Sequence, residues 1–144
     1  ESPHLSVGVI TFYAAQQELI LEQLADYGIT ALSEDGVVIT EGYRTLETET
    51  GHREERLRVG TVDSFQGKEF DVVILSMVRS GSVAADASIQ ATFGFLASEN
   101  RTCVALSRQR RLLVVVGDRE IVKLPHADQI RGLVELADLC GAPQ

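Results

Sequence analysis

Two short stretches of this sequence concentrate side chains able to handle a charged ligand. The first is Val62-Asp63-Ser64-Phe65-Gln66-Gly67-Lys68-Glu69-Phe70-Asp71. Asp63, Ser64, Gln66, Lys68 and Glu69 offer donors, acceptors and both charge signs within seven residues. Gly67 lets the backbone approach a ligand closely. A well-capped tight connection between two strands would use the same residues, and spacing alone supports both readings. The second stretch is residues 101–111, RTCVALSRQRR. Guanidinium groups pair bidentately with phosphoryl oxygens. On one continuous helix Arg101 and Arg108, seven residues apart, share a face after two turns. The competing reading is a solvated helix end, where cations are favoured by the macrodipole in any case.

Other chemistries find no support in the residue order. There is no GxxxxGK(S/T) phosphate loop, no GxGxxG and no GxSxG elbow. His4, His52 and His126 lack metal-ligand spacing. Two cysteines, Cys103 and Cys140, are too few and too far apart for a disulfide scaffold or a zinc ribbon, which points to a reducing compartment.

The elements that must position these stretches read as strands alternating with helices. Residues 5–11 (LSVGVIT) suit a strand buried on both faces, as in a parallel sheet. A helix is expected over 14–27, with Leu19, Ile20, Leu24 and Tyr27 as its apolar positions and Gly28 as its C-cap. Residues 37–40 (VVIT) suggest a strand, and the charged segment 41–56 an exposed loop or hairpin. Strands are expected at 57–62 and 70–78, the latter the strongest buried run. A loop with one helical turn at 80–92 and a helix at 100–110 follow, and 112–116 (LLVVV) reads as a second fully buried strand. Asp118 can cap a short helix that reaches Lys123 and ends before Pro125. Ile130, Leu133, Val134 and Ala137 form an amphipathic stripe. This pattern predicts a doubly wound, mainly parallel α/β sheet. Ligands then belong beyond the carboxyl ends of the strands, on the loops after Thr11, Val62, Val78 and Val116.

At 144 residues with 44% apolar and 24% charged composition, the chain has room for one domain with one core. No apolar run approaches the roughly 18 residues of a membrane span, and the first residues carry no signal-peptide core. The sequence is therefore expected to be neither a membrane protein, a coiled coil nor a disordered tail. A net charge of −8 argues against nucleic acid at first sight. Its distribution argues the other way. Residues 1–56 hold 11 acids and 3 bases, and residues 112–144 hold 5 acids and 3 bases. Residues 57–111 hold 7 bases against 5 acids, so the stretch with the candidate chemistry is net positive.

Taken together, these residues resemble the Upf-like superfamily I helicases. VGTVDSFQGKEFDVVILSMVRS (59–80) is similar to their motif V, GFLASENRTCVALSRQRRLLVVVGD (94–118) to motif VI, and GVITFYAAQ (8–16) to motif IV. The three occur in family order over about three quarters of the chain. The resemblance implies a RecA-like fold, specifically the C-terminal motor domain, spanning 1–144 with an inserted loop or hairpin at 33–56. The phosphate loop and most Mg2+ ligands would lie on an N-terminal RecA-like domain absent from this chain. Under that resemblance Arg108 is the catalytic arginine finger, and Gln66, Gly67 and Glu69 bind ATP with it. Asp63, Ser64, Tyr13, Gln16 and Arg79 fall on the side of single-stranded DNA or RNA. Arg101 and Arg79 match arginines of domain packing or phosphate contact. ATP and Mg2+ are the implied cofactors, no membrane is expected, and the setting is cytoplasmic, or nuclear in a eukaryote. The chain departs from the family pattern at Phe12, Cys103, Ser107 and Gln109, none of which removes a charge. An ATP-driven translocase or remodeller without unwinding, a non-enzymatic nucleic-acid-binding module and a helicase fused to a nuclease remain alternatives.

Overall fold

The apolar runs become the strands of one parallel sheet in the computed structural model, which describes residues 5–34, 36–48, 50–79 and 87–141. Its strands are β1 (Val7–Thr11), β6 (Leu57–Thr61), β7 (Phe70–Ser76) and β8 (Gln109–Val116). They lie in the order β6-β1-β7-β8, with every neighbouring pair parallel. Parallel strands need crossovers, and the flanking helices supply cover: this is the mainly parallel α/β architecture of RecA-like domains. Helix α1 (Ala14–Ala25) ends two residues before the expected bound, and Gly28 follows at φ 68°. Among the described residues no helix is long and apolar enough to cross a membrane.

The register sorts the side chains into two faces. Gly8, Val73 and Leu113 align across the sheet, as do Ile10, Leu75 and Val115. Ile10, Val73 and Leu75 are fully buried there, packed with Phe65, Phe70, Phe93, Leu96, Ile121, Ile130 and Leu133. The last two belong to the predicted stripe, carried into α5 (Arg131–Gly141). The 3-10 helix Arg119–Lys123 starts under the Asp118 cap, whose carboxylate accepts from the Glu120 amide at 2.9 Å. Cys103 and Cys140 are both free and exposed.

Three expectations need correction. The strand over 112–116 is not buried on both faces: β8 is an edge strand, and Leu112, Val114 and Val116 stand exposed. Helix α1 packs mainly over β1 and β6, away from β8. The helix expected over 100–110 is α4, Glu99–Ala105, and β8 already begins at Gln109. Residues 30–55, read as one strand at 37–40 followed by an exposed loop or hairpin at 41–56, build two hairpins, the first of which was not expected. One pairs β2 (Thr30–Ser33) with β3 (Gly36–Ile39). The other pairs β4 (Thr45–Glu47) with β5 (Arg53–Glu55), after the short helix α2 (Glu41–Arg44). The loop expected over 80–92 lies partly outside the described residues, which resume before α3 (Ile89–Phe93).

Candidate functional site

The chemistry of the sequence divides between the two ends of the sheet. Gln66, Gly67 and Glu69 immediately precede β7, and Arg108 immediately precedes β8. The Phe70 amide donates to the Arg108 carbonyl at 3.0 Å, locking these two strand starts together. Gly67 adopts φ 76°, a left-handed turn that glycine takes without strain and that reverses the chain into β7. Glu69 is exposed beside it, with Arg110 Nε at 3.8 Å from Oε2. The Gln66 amide closes the preceding turn onto the Asp63 carbonyl, leaving the Gln66 side chain exposed.

Arg108 sits at the β8 side of this end. Because α4 stops at Ala105, Arg101 and Arg108 do not share a helix face; a turn, not a helix, aims Arg108. Its Nε donates to the Val104 carbonyl (3.2 Å), Nη1 to the Lys68 carbonyl (3.4 Å) and Nη2 to Ser107 Oγ (2.9 Å). All three acceptors are neutral. Arg101, Arg110 and Arg111 each pair with a carboxylate, on Asp63, Glu54 and Asp71 respectively. Among the described residues Arg108 has no such partner, so its charge is oriented but not neutralised.

The second group lies at the carboxyl ends of β1, β6 and β7. Tyr13 and Gln16 follow β1, Arg79 follows β7, and Asp63 and Ser64 follow β6. Gln16 Nε2 donates to Ser76 Oγ at 3.3 Å. Arg79 Nε donates to Tyr13 Oη (3.0 Å), and its Nη1 to the Ala91 carbonyl (2.6 Å). Gly94, at φ 53°, makes the space: a Cβ there would collide with Tyr13 Oη and lie 2.6 Å from Arg79 Nη2. Phe95, passed over in the sequence, stacks at 5.3 Å against Tyr13 and carries the Arg101 guanidinium 4.5 Å above its ring. Its signal was an aromatic residue exposed next to an arginine-rich segment. Arg101 grips Asp63 through two bonds, Nη2–Oδ2 at 3.0 Å and Nε–Oδ1 at 3.3 Å. Arg79, Tyr13, Phe95, Arg101 and Asp63 thus form one continuous chain of contacts.

The expected placement beyond the carboxyl ends therefore holds for this second group and fails for Gln66, Gly67, Glu69 and Arg108, which sit at the amino ends. One segment links the groups. The connection 62–69, which opens with the 3-10 helix Val62–Phe65, runs from the end of β6 to the start of β7. It lies so close to β1 that a Cβ on Gly8 would stand 2.7 Å from Phe65 Cε1. At the start of β7, burial raises the pKa of Asp71, but bonds from the Ser6 amide and hydroxyl and the charges of Arg111 and Arg110 outweigh it. The net effect holds the carboxyl below its ordinary range.

The family profile described as AAA domain matches residues 1–120. Helicase required for RNAi-mediated heterochromatin assembly 1 of Schizosaccharomyces pombe is 36% identical over 78% of this chain and 8% of its own length. The putative helicase mov-10-B.1 of Danio rerio is 34% identical over 81% of this chain and 12% of its own. A regulator of nonsense transcripts 1 homolog from Neurospora crassa is 31% identical over 81% of this chain and 8% of its own. The chain thus spans about a tenth of the length of these relatives. With the parallel sheet and motifs IV, V and VI in order, the profile and these relatives establish that the chain belongs to the Upf-like superfamily I helicases.

Proposed function

We propose that this chain is the second, C-terminal of two RecA-like motor domains in an ATP-dependent helicase acting on single-stranded DNA or RNA. The observation that carries the reading is Arg108, held by three neutral oxygens with no carboxylate partner among the described residues. A cation kept in one orientation and left uncompensated suits an anion that arrives from outside the domain.

ATP would enter between this edge and a partner domain that carries the phosphate loop, and it supplies the phosphoanhydride that is cleaved. On domain closure Arg108 meets the γ-phosphoryl oxygens, where charge develops during transfer. Little reorganisation is needed, because Val104, Lys68 and Ser107 already aim the guanidinium. Glu69 would accept from a ribose hydroxyl, and the Gln66–Gly67 turn would lie beside the phosphates. Mg2+ would be held mainly by the partner domain and the nucleotide's own phosphates.

At the opposite end, Tyr13, Gln16, Ser64 and Arg79 would line the track of a single strand, whose phosphates need no base-specific reading. Asp63 would act there through Arg101: the carboxylate repels phosphate but fixes the guanidinium that attracts it. The crossover 62–69 connects both ends, so nucleotide-driven movement of the Gly67 turn would be felt at Asp63. The test is Arg108→Ala in the full-length helicase. Turnover should fall about 10³-fold while nucleotide binding persists. Near-normal turnover would overturn the assignment.

A further inference from the structure

The edge around Arg108 holds more positive charge than it displays, because two glutamates of the β4–β5 hairpin pair with its cations. Lys68, adjoining Gly67, places Nζ 3.0 Å from Glu55 Oε2, and the same oxygen accepts from Arg58 at 2.9 Å. Arg110, two residues past Arg108, places Nη1 3.2 Å from Glu54 Oε2. Arg58, Lys68 and Arg110 pair with the three acids Glu54, Glu55 and Glu69, so those charges cancel and Arg108 leaves one net positive charge. Without the two hairpin acids three would remain.

The hairpin is fixed rather than casual. Leu46 is buried, and the register sets Leu46 opposite Glu54 and Thr45 opposite Glu55. The ion pairs themselves are open to exchange: side-chain exposure is 46% and 32% for Lys68–Glu55, and 42% and 40% for Arg110–Glu54. Pairs this exposed are weak. A polyphosphate presents several charged oxygens where each glutamate presents one carboxylate, so it can displace them.

We propose that Lys68 and Arg110 are additional phosphate-binding groups for the nucleotide, and that Glu54 and Glu55 hold them as competing internal anions. The hairpin then sets nucleotide affinity without entering the chemistry. The proposal rests on the reading of the Arg108 edge as the nucleotide site.

The experiment is steady-state ATP hydrolysis by the full-length helicase with saturating single strand. Glu54→Gln with Glu55→Gln should lower KM for ATP about twofold to tenfold with kcat unchanged, an effect that shrinks as salt rises. Lys68→Gln with Arg110→Gln should raise KM, and in that background the glutamate changes should do nothing further. An unchanged or raised KM in the glutamate variant overturns the proposal, as does a drop that persists in the Lys68/Arg110 background. If the double glutamate variant does not fold, Glu54→Gln and Glu55→Gln singly carry the same test at about half the effect. The underlying site reading fails separately, through near-normal turnover of Arg108→Ala.

Discussion

Gly8→Ala is the sharpest probe of how the site is built, because it touches no proposed site residue. Gly8 is the second residue of β1, and the crossover carrying Asp63 at one end and Gly67 at the other lies directly over it. An alanine Cβ would stand 2.7 Å from Phe65 Cε1 and 3.0 Å from Phe70 Cδ2. Carbon atoms prefer about 3.5–4.0 Å, so Phe65 must retreat by most of an ångström. Phe65 is 0% exposed and Phe70 2%, so neither ring has an empty direction to take. Overpacking of this kind costs about 1–3 kcal/mol. Replacing a strand glycine recovers about 0.5–1 kcal/mol of backbone entropy. With no direction for either ring to take, the cost falls in the upper half of that range, and the net is about 1–2.5 kcal/mol of destabilisation, or roughly 3–8 °C in Tm for a domain of this size. Urea and thermal unfolding of the 144-residue chain measure it. Gly42→Ala is the control: nothing lies within 4 Å of its Cβ and it sits in α2, so it should be neutral or stabilise slightly. Phe65→Leu should relieve the clash, giving a double variant less destabilised than the sum of the singles. A neutral Gly8→Ala, or strict additivity with Phe65→Leu, would refute the packing of the crossover on β1.

Other expected outcomes follow from single contacts. Asp71 has a lowered folded-state pKa, so it contributes stability above the ordinary carboxylate range that is lost as pH falls through its folded value. Asp71→Asn should therefore reduce the urea midpoint at neutral pH and flatten its decline toward acid; an unchanged pH profile would count against the Ser6 and Arg111 contacts. Gly94→Ala, forced to φ 53° against Tyr13 Oη and Arg79, should cost about 1–3 kcal/mol and weaken single-strand binding by the full-length protein. Unaltered binding in a salt titration would remove Tyr13 and Arg79 from the track. The 144-residue chain alone, lacking a phosphate loop, should show no ATP turnover, and robust turnover abolished by Arg108→Ala would contradict the two-domain reading.

The sequence carries some of this plainly and hides the rest for identifiable reasons. The apolar runs at 5–11 and 70–78 were legible as buried strands, and they hold β1 (7–11) and β7 (70–76), which have strands on both sides. LLVVV gave the same signal, yet it belongs to an edge strand: composition reports that a run can be buried, and only topology decides whether a layer covers it. The helix boundary after Ala105 was missed because RTCVALSRQRR contains no glycine or proline to mark the break. That small error changes the chemistry, since it moves Arg108 from a helix face to a turn that Lys68 and Ser107 help to hold. The Glu54 and Glu55 pairs had no local signal at all, being products of hairpin register.

Charge shows the same limit most clearly. A net of −8 and a cluster of four arginines looked like opposing evidence about phosphate. Contacts resolve the opposition residue by residue. Arg101, Arg110 and Arg111 are each answered by an acid, so their presence in the sequence overstated the free positive charge. Arg108 meets only neutral acceptors among the described residues, so one residue in four keeps the charge that the cluster advertised. For the same reason bulk acidity says little about the site. The acids in residues 1–56 include Glu54 and Glu55, which lie at the amino edge and pair with its bases. Part of the apparent conflict between an acidic domain and the proposed anionic ligand would then be an internal exchange, in which Glu54 and Glu55 occupy positions that phosphate oxygens would take.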